Sequence, residues 1–566
     1  MHLIIPKFHT THNHCFFIKE MTYNFVLFLI GAFGIPSLLL AILVVGCLVA
    51  LWWHHPLYGK NQGAAIYPIV GNLIQILCHV RVFHDWNTEL LKKTSNMTVR
   101  YWRPGSPAWY VTANPKNVEY MLKTNFANYP KGPETCNNLN DLLGRGIFSV
   151  DGELWKLQRK VAIHEFTTRS LRNFMQQIVQ VELDTRMIPL LSHTCSAGVV
   201  VDLQDLLCRF TFDTICKLAF GVDPECLHIS LPAVEFAHAF DTATKISSSR
   251  FYTYPFIWKT LRALNVGSER KLREAIRQID EFAMSVIHKR KQQMQQQLHH
   301  MDLLSRFLLL SFDESKRSSS DVVTNDSATP PESRPEAIFS DVFLRDIVIS
   351  FVLAGRDTSS SGISWFFWLL SRNRHVEDSI RAEIAEILKK MHYLDAALTE
   401  SMRLYPPVPF DSKVAMEEDT WPDGTHIPKD SVVAYAPYAM GRMEQLWGSD
   451  CLEFKPERWL DDNGVFQPQT PYKYAVFQAG QRVCLGKELA MLQMKLLVAT
   501  LVSHFTISMS SIAAASEAAA DARDAQDDDF KPNYEIDLTL PIKNGLPVRI
   551  HRATQDEDIK AKASNA

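Results

Sequence analysis

A chain of 566 residues exceeds an ordinary domain of ~100–200 residues, although large enzymes do run longer as one unit. With 46% hydrophobic, 21% charged and 11% aromatic residues it can bury a large core, which excludes disorder throughout. Its formal net charge of −3 gives no general attraction to nucleic acid.

Residues 1–22 form an extension without a readable signal, and Met21 is an alternative start. Residues 23–54 read as a membrane anchor: nothing from Tyr23 to Trp53 is charged, and Ser37–Trp53 is almost wholly apolar. A bilayer core takes about 20 apolar residues as helix, and Trp52 and Trp53 suit its interface. A cleaved signal peptide would have a shorter apolar part of ~7–15 residues and a small-residue cleavage site. Residues 55–552 read as one folded body. A turn-rich hinge runs from His55 to Gly71. Val99–Trp102 and Ala108–Thr112 then alternate around Pro104-Gly105 as a β-hairpin. From Pro115 to about Lys316 apolar residues recur at helical spacing.

Residues 316–338, rich in Ser, Asp, Thr and Pro, read as a flexible insert. Ser340–Arg372 reads as one long helix with Ser340 as N-cap and an apolar, buried interior. Ala354-Gly-Arg-Asp-Thr-Ser359 interrupts that interior. A buried carboxylate and hydroxyl are costly unless bonded, so the break marks either a functional site or a solvated notch. A helix over Lys487–Leu501 follows, then a second insert at residues 512–530. Leu538–Leu540 with Leu546–Ile550 suggests a late hairpin, and residues 553–566 a frayed tail.

Ten scattered cysteines contain no CxxC pair, so neither a disulfide framework nor a structural zinc site is indicated. Cys484 stands apart within Phe477-Gln-Ala-Gly480-Gln-Arg482-Val-Cys484-Leu-Gly486. Gly480 can take a positive φ, and Gly486 leaves room for a planar ligand. The cysteine lies at a helix N-terminus, where N–H groups and the dipole favour a thiolate. A buried structural cysteine beside a turn is the plain alternative. A phosphate loop is rejected, because five residues separate Gly480 from Gly486 and Glu488 follows Lys487.

This segment resembles the F-x-x-G-x-R-x-C-x-G signature of the cytochrome P450 family at every fixed position. The resemblance implies a mainly α fold with small β-sheets (α+β), preceded by an N-terminal transmembrane helix. It implies haem b with Cys484 as axial iron ligand, Arg482 on a propionate and Phe477 beside the sulfur. Ala354–Thr358 resembles the family's [AG]-G-x-[DE]-T. That likeness implies that Gly355 and Thr358 open the long helix over the haem for O2, while Thr358 and Asp357 relay protons. Trp155-Lys-Leu-Gln-Arg159 resembles W-x-x-x-R, whose two ends touch a propionate, and Lys413 stands where relatives carry a basic residue toward the other. Glu400-Ser-Met-Arg403 with Pro456-Glu-Arg458-Trp459 resembles the structural network behind the haem, made by Glu400, Arg403 and Arg458.

The likeness is nearest to the plant and fungal long-chain fatty-acid ω-hydroxylases, on stretches such as Asn128–Gly132, Asp151–Trp155, Ser364–Trp368 and Tyr438–Arg442. It implies insertion of one atom of O2 into a C–H bond of a lipophilic substrate. Gly144-Arg-Gly146 lacks a third glycine, so no dinucleotide fingerprint is present and electrons are expected from a separate NADPH-dependent P450 reductase. Lys156, Lys160, Lys487 and Lys495 offer it a basic patch. The implied location is the endoplasmic reticulum membrane, with the body in the cytosol. Two departures stand out. Ala354 replaces a glutamate that animal relatives esterify to the haem, so no such link is expected. The stretch from Asp357 to Glu400 is also short for the family. An O2-independent isomerase or dehydratase of lipid hydroperoxides would have no use for Asp357-Thr358. A membrane-tethered haem sensor would have none for Thr358.

Overall fold

The computed structural model describes residues 43–44, 46, 66–67, 70–166, 169–231, 234–296, 302–309, 340–385, 391–510 and 532–553. The sequence-based expectations for the inserts and the tail lie outside these residues. Of the anchor, only Leu43, Val44 and Gly46 are described, all helical and exposed. No helix among the described residues is long and apolar enough to cross a membrane.

The alternating segments pair as their pattern requires. Strands β1 (Thr98–Tyr101) and β2 (Trp109–Thr112) are antiparallel, with Thr98 opposite Thr112. Eight helices carry or brace the site: α1 (Gly132–Leu143), α2 (Gly152–Phe166), α3 (Leu203–Phe220), α4 (Glu235–Ser249), α5 (Gly267–Gln295), α6 (Asp341–Arg372), α7 (His392–Leu404) and α8 (Lys487–His504). Strand β3 (Val201–Asp202) precedes α3, and β4 (Asp411–Val414), β5 (Asp419–Thr420), β6 (His426–Ile427) and β7 (Val432–Tyr435) follow α7. The chain closes with β8 (Phe505–Met509) and β9 (Pro547–Arg552).

Strand β7 reads Val-Val-Ala-Tyr and is buried throughout, as a central strand must be. It lies parallel to β2 and antiparallel to β4, in the order β1-β2-β7-β4. The late hairpin expected within residues 538–550 does not form. Strand β9 pairs instead with β8, Ile507 opposite Ile550, and with β3. Leu540 is spent elsewhere: its N–H donates to Pro407 O at 3.0 Å, and its carbonyl accepts from Ser361 Oγ and Trp365 Nε1, each at 2.7 Å.

Helix α6 forms over the span its cap and apolar run indicate. Ser340 Oγ accepts from Phe343 N at 3.3 Å, and the helix runs unbroken for 32 residues. Its polar first turns end another helix. Arg345 donates to Leu142 O at 2.7 Å and Asp141 O at 3.2 Å, satisfying carbonyls at the end of α1. Asp346 accepts from Arg145 N at 2.8 Å. The Gly144-Arg-Gly146 pair is explained by this junction. A Cβ on either glycine would lie within 2.2 Å of Asp346 or Ser350. Helices α3, α4, α5 and α6 share the main core, and α6 is thereby held as a rigid beam through the body.

Candidate functional site

The cysteine loop is built on backbone geometry. Gly480 adopts φ +62°, and a Cβ there would lie 1.9 Å from Leu122 O, so both conformation and space demand glycine. Cys484 N donates to Phe477 O at 2.8 Å, closing the loop, and Gly486 starts α8. The sulfur faces a cavity of ≈ 240 Å³ between this loop and α6. The side chain is exposed by accessible surface because that space is open to it, yet it sits deep in the body. Burial pushes its thiol up, against the N–H groups of Gly486 and Lys487 and the charges of Arg159 and Lys487. Desolvation here opposes the helix-terminus preference for a thiolate, and a bound metal cation would favour the deprotonated sulfur.

Ala354, Gly355 and Thr358 form the facing wall on α6. Gly355 answers a packing demand: a Cβ would lie 2.5 Å from Ile215 of the crossing helix α3. Thr358 Oγ1 donates to Ala354 O at 2.7 Å. Thr358 also borders a second cavity of ≈ 250 Å³, so it stands at the junction of the two. Asp357 lines neither cavity. Its Oδ1 accepts from Arg356 Nη1 at 2.7 Å, and the same nitrogen reaches Asp241 Oδ1 at 2.6 Å. Asp241 has 62% of its side chain exposed, so this trio links solvent to the buried helix face. Burial, partly offset by Arg356, raises Asp357 to about 6. Asp537, on the wall of the second cavity, is raised by burial to about 8, with Asp357 and Asp241 adding to the rise.

The cavity edge is cationic. Trp155 is buried, with Arg482 stacked at 4.5 Å from its ring centroid and Arg159 at 5.7 Å. Arg159 donates to Val483 O at 3.0 Å, and Arg482 pairs with Asp151. Lys413 is sealed in β4, 1% exposed and 2.6 Å from Asp411, and burial lowers it to about 7. The amine on the cavity wall is Lys131, which meets the other oxygen of Asp411 at 2.6 Å. Against their burial, the two lysines hold the Asp411 carboxyl well below the usual range. Sequence reasoning noted the Asn128–Gly132 stretch but gave Lys131 no role. Only tertiary pairing of α1 with β4 shows which lysine reaches the cavity.

A haem fits this space. The sulfur lines the cavity, much of the wall is apolar, and three cations reach it: Arg159, Arg482 paired with Asp151, and Lys131 paired with Asp411, a cationic edge suited to propionates. Arg482 Nε and Gln478 Oε1, both on the lining residues, are buried without a partner among the described residues.

Behind the loop, Glu400 and Arg403 are fully buried and joined by bonds of 2.7 and 2.8 Å. Glu400 also accepts from Arg458 Nε and Trp459 Nε1, both at 2.8 Å, and from Lys455 N at 3.1 Å. Arg403 donates onward to Gly441 O, Cys451 O and Glu453 O. The network ties α7 to the segment that precedes the cysteine loop.

The chain matches the family profile described as Cytochrome P450 over residues 62–514. It is 43% identical to "Cytochrome P450 94C1" of Arabidopsis thaliana, covering 82% of this chain and 88% of that protein. "Cytochrome P450 94A1" of Vicia sativa is 40% identical over 86% and 90% of the two chains. "Cytochrome P450 86B1" of Arabidopsis thaliana is 38% identical over 94% and 92%.

Proposed function

Because the chain belongs to the cytochrome P450 family and is a haem-b monooxygenase, we propose that its substrate is a long-chain fatty acid hydroxylated near the methyl end. The observation that carries this reading is the second cavity. It is walled by Phe83, Leu139, Leu143, Phe251 and Leu353 and meets the haem space at Thr358. Such a slot suits an extended hydrocarbon presented end-on. The likeness to the ω-hydroxylase branch supports the same substrate class.

Haem bound against Cys484 supplies the iron at which O2 is reduced and one oxygen atom enters a C–H bond. Arg159, Arg482 and Lys131 would hold its propionates, and Trp155 braces both arginines. The apolar walls exclude water from the reacting carbon. Thr358 Oγ1 carries the proton nearest that carbon's end of the cavity. It is held on Ala354 O at 2.7 Å, and a rotation about χ1 would free it for the cavity. The family likeness pairs Thr358 with Asp357, which Arg356 bridges to the exposed carboxylate of Asp241. Asp357, at about 6, exchanges a proton readily near neutral pH.

Electrons come from a separate NADPH–cytochrome P450 reductase. Lys156 and Lys160 on α2 and Lys487 and Lys495 on α8 offer it charge. Lys156 already pairs with Glu153, and Lys495 with Asp395. The apolar run at 37–53 anchors the protein in the endoplasmic reticulum membrane with the body in the cytosol. Ile74, Leu77, Phe256 and Leu264 are exposed large apolar side chains that suit lipid contact. The test is reconstitution of the full chain with haem, NADPH and purified reductase. Terminally hydroxylated fatty acid is the expected product, and no turnover of any bound fatty acid would refute the reading.

A further inference from the structure

The wall of the second cavity carries a polar patch that the chemistry at Thr358 does not use. Thr244 and Ser248 lie four residues apart on α4, hence on one face, and Tyr252 continues that spacing past its end. Against them runs Asp537-Leu-Thr539. This segment is held by the bonds Leu540 makes to Pro407 and to Ser361 and Trp365 of α6. Thr244 Oγ1 donates to Asp537 Oδ2 at 3.3 Å, which joins segment to helix. Burial and the nearby Asp537 push the Tyr252 hydroxyl up. Ser248, Tyr252, Asp537 and Thr539 all line a cavity otherwise rich in Phe and Leu side chains.

The patch lacks acceptors. Among the described residues, the hydroxyls of Ser248, Tyr252 and Thr539 make no hydrogen bond. Ser248 is 4% exposed and Thr539 8%, so bulk solvent hardly reaches them. Asp537 Oδ1 accepts from Leu538 N at 2.7 Å, and among the described residues no Lys or Arg pairs with the carboxyl. The charged groups that act on it are Asp357 of α6 and Asp241 of α4, and the Arg356 guanidinium is already shared between those two. Burial and these like charges keep its proton on at pH 7, so it is a donor as the hydroxyls are. A plain hydrocarbon laid against the patch would bury donors without acceptors, which is costly.

We propose that Asp537, with Ser248, Tyr252 and Thr539 around it, is a specificity-determining residue whose carboxyl donates a hydrogen bond to an oxygen atom carried inside the substrate chain. This rests on the fatty-acid reading and narrows its substrate class. A chain with an acceptor oxygen at the matching carbon is preferred to a plain one, and the bond fixes how deep that chain sits relative to Thr358.

The test titrates octadecanoic acid and its mono-keto isomers, the carbonyl at successive carbons, into the haem-loaded full chain at pH 7. The substrate-induced change in the haem spectrum is followed, and each variant is first checked for full haem content. A ketone only accepts, so it reports donors alone. In wild type, isomers with the carbonyl in one short stretch of the chain should bind about 2- to 10-fold tighter than the plain acid, the value of one net hydrogen bond. Asp537→Leu should bind the plain acid as tightly or tighter and weaken the favoured isomers about 5- to 100-fold, the cost of an unmet polar group. Asp537→Ala reads the same loss if the leucine variant fails to hold haem. Asp537→Asn keeps a neutral donor of similar shape and should retain most of the preference. Tyr252→Phe and Thr539→Val should each lower it by less than Asp537→Leu does. In turnover, wild type should oxidise a favoured isomer over fewer carbons than the plain acid, and Asp537→Leu should broaden that range again. Keto isomers that never bind tighter than the plain acid would overturn the subsite while hydroxylation of fatty chains stands. An unchanged preference in Asp537→Leu, or its full loss in Asp537→Asn, would overturn the role of Asp537 as donor. Failure of the wild type to bind any fatty chain would remove the substrate reading, and the subsite with it.

Discussion

Glu400→Gln keeps the shape of the network behind the haem and removes its charge. The carboxylate accepts five bonds, three on Oε1 from Arg403, Arg458 and Lys455 and two on Oε2 from Arg403 and Trp459. A glutamine amide can leave its oxygen at the three-donor side, but its NH2 then faces two donors. Two bonds are lost and two buried N–H groups are orphaned. At ~1.5–3 kcal/mol for each hydrogen bond to a charged group, the loss is ~3–6 kcal/mol. Breaking a buried ion pair costs ~3–5 kcal/mol, in agreement. Against a total stability of ~5–15 kcal/mol, that is a large fraction. The assay is urea unfolding of the haem-loaded protein, with haem retention followed in parallel. Glu153→Gln, which removes an exposed pair with Lys156, is the control and should cost under ~1 kcal/mol. A change below ~1 kcal/mol for Glu400→Gln would refute the assignment of Glu400 as the central acceptor of the network.

Gly480→Ala places a methyl group against Leu122 O at a backbone angle that L-residues resist, so the variant should lose haem on purification, read as the ratio of haem to protein absorbance. Thr358→Ala should keep haem, bind fatty acid and consume NADPH, yet make roughly tenfold less product per NADPH; undiminished coupling would remove the proton role. Asp537 gives a pH signature. Its folded-state value of about 8 lies above the unfolded value of 3.8, so the folded chain binds more protons between them and loses stability as pH rises through that window. Asp537→Asn should therefore raise the thermal midpoint relative to wild type most at pH 8, with the difference shrinking toward pH 4.

Local signals in the chain were strong where one element satisfies itself. The Ser340 cap and the apolar run define α6, and the alternation around Pro104-Gly105 defines β1 and β2. The Cys484 loop was legible because one short motif holds its members a few residues apart, and the Glu400 network because two short motifs, Glu400–Arg403 and Pro456–Trp459, carry its members. What the sequence hid depends on partners far away in the chain. Leu540 fails to extend a hairpin because α6 claims its carbonyl, and the glycines at 144 and 146 answer to Asp346 and Ser350. Lys413 is two strand positions from Lys131's partner Asp411, and only the pairing of α1 with β4 puts Lys131 on the cavity wall.

The central claim is that the sulfur of Cys484 ligates the haem iron as a thiolate. The most direct measurement is the carbon monoxide spectrum of the reduced protein, wild type beside Cys484→Ser. The wild type should show the red-shifted Soret band of a thiolate ligand, and the serine variant should lose both that band and turnover. A normal band and full turnover in Cys484→Ser would contradict the account.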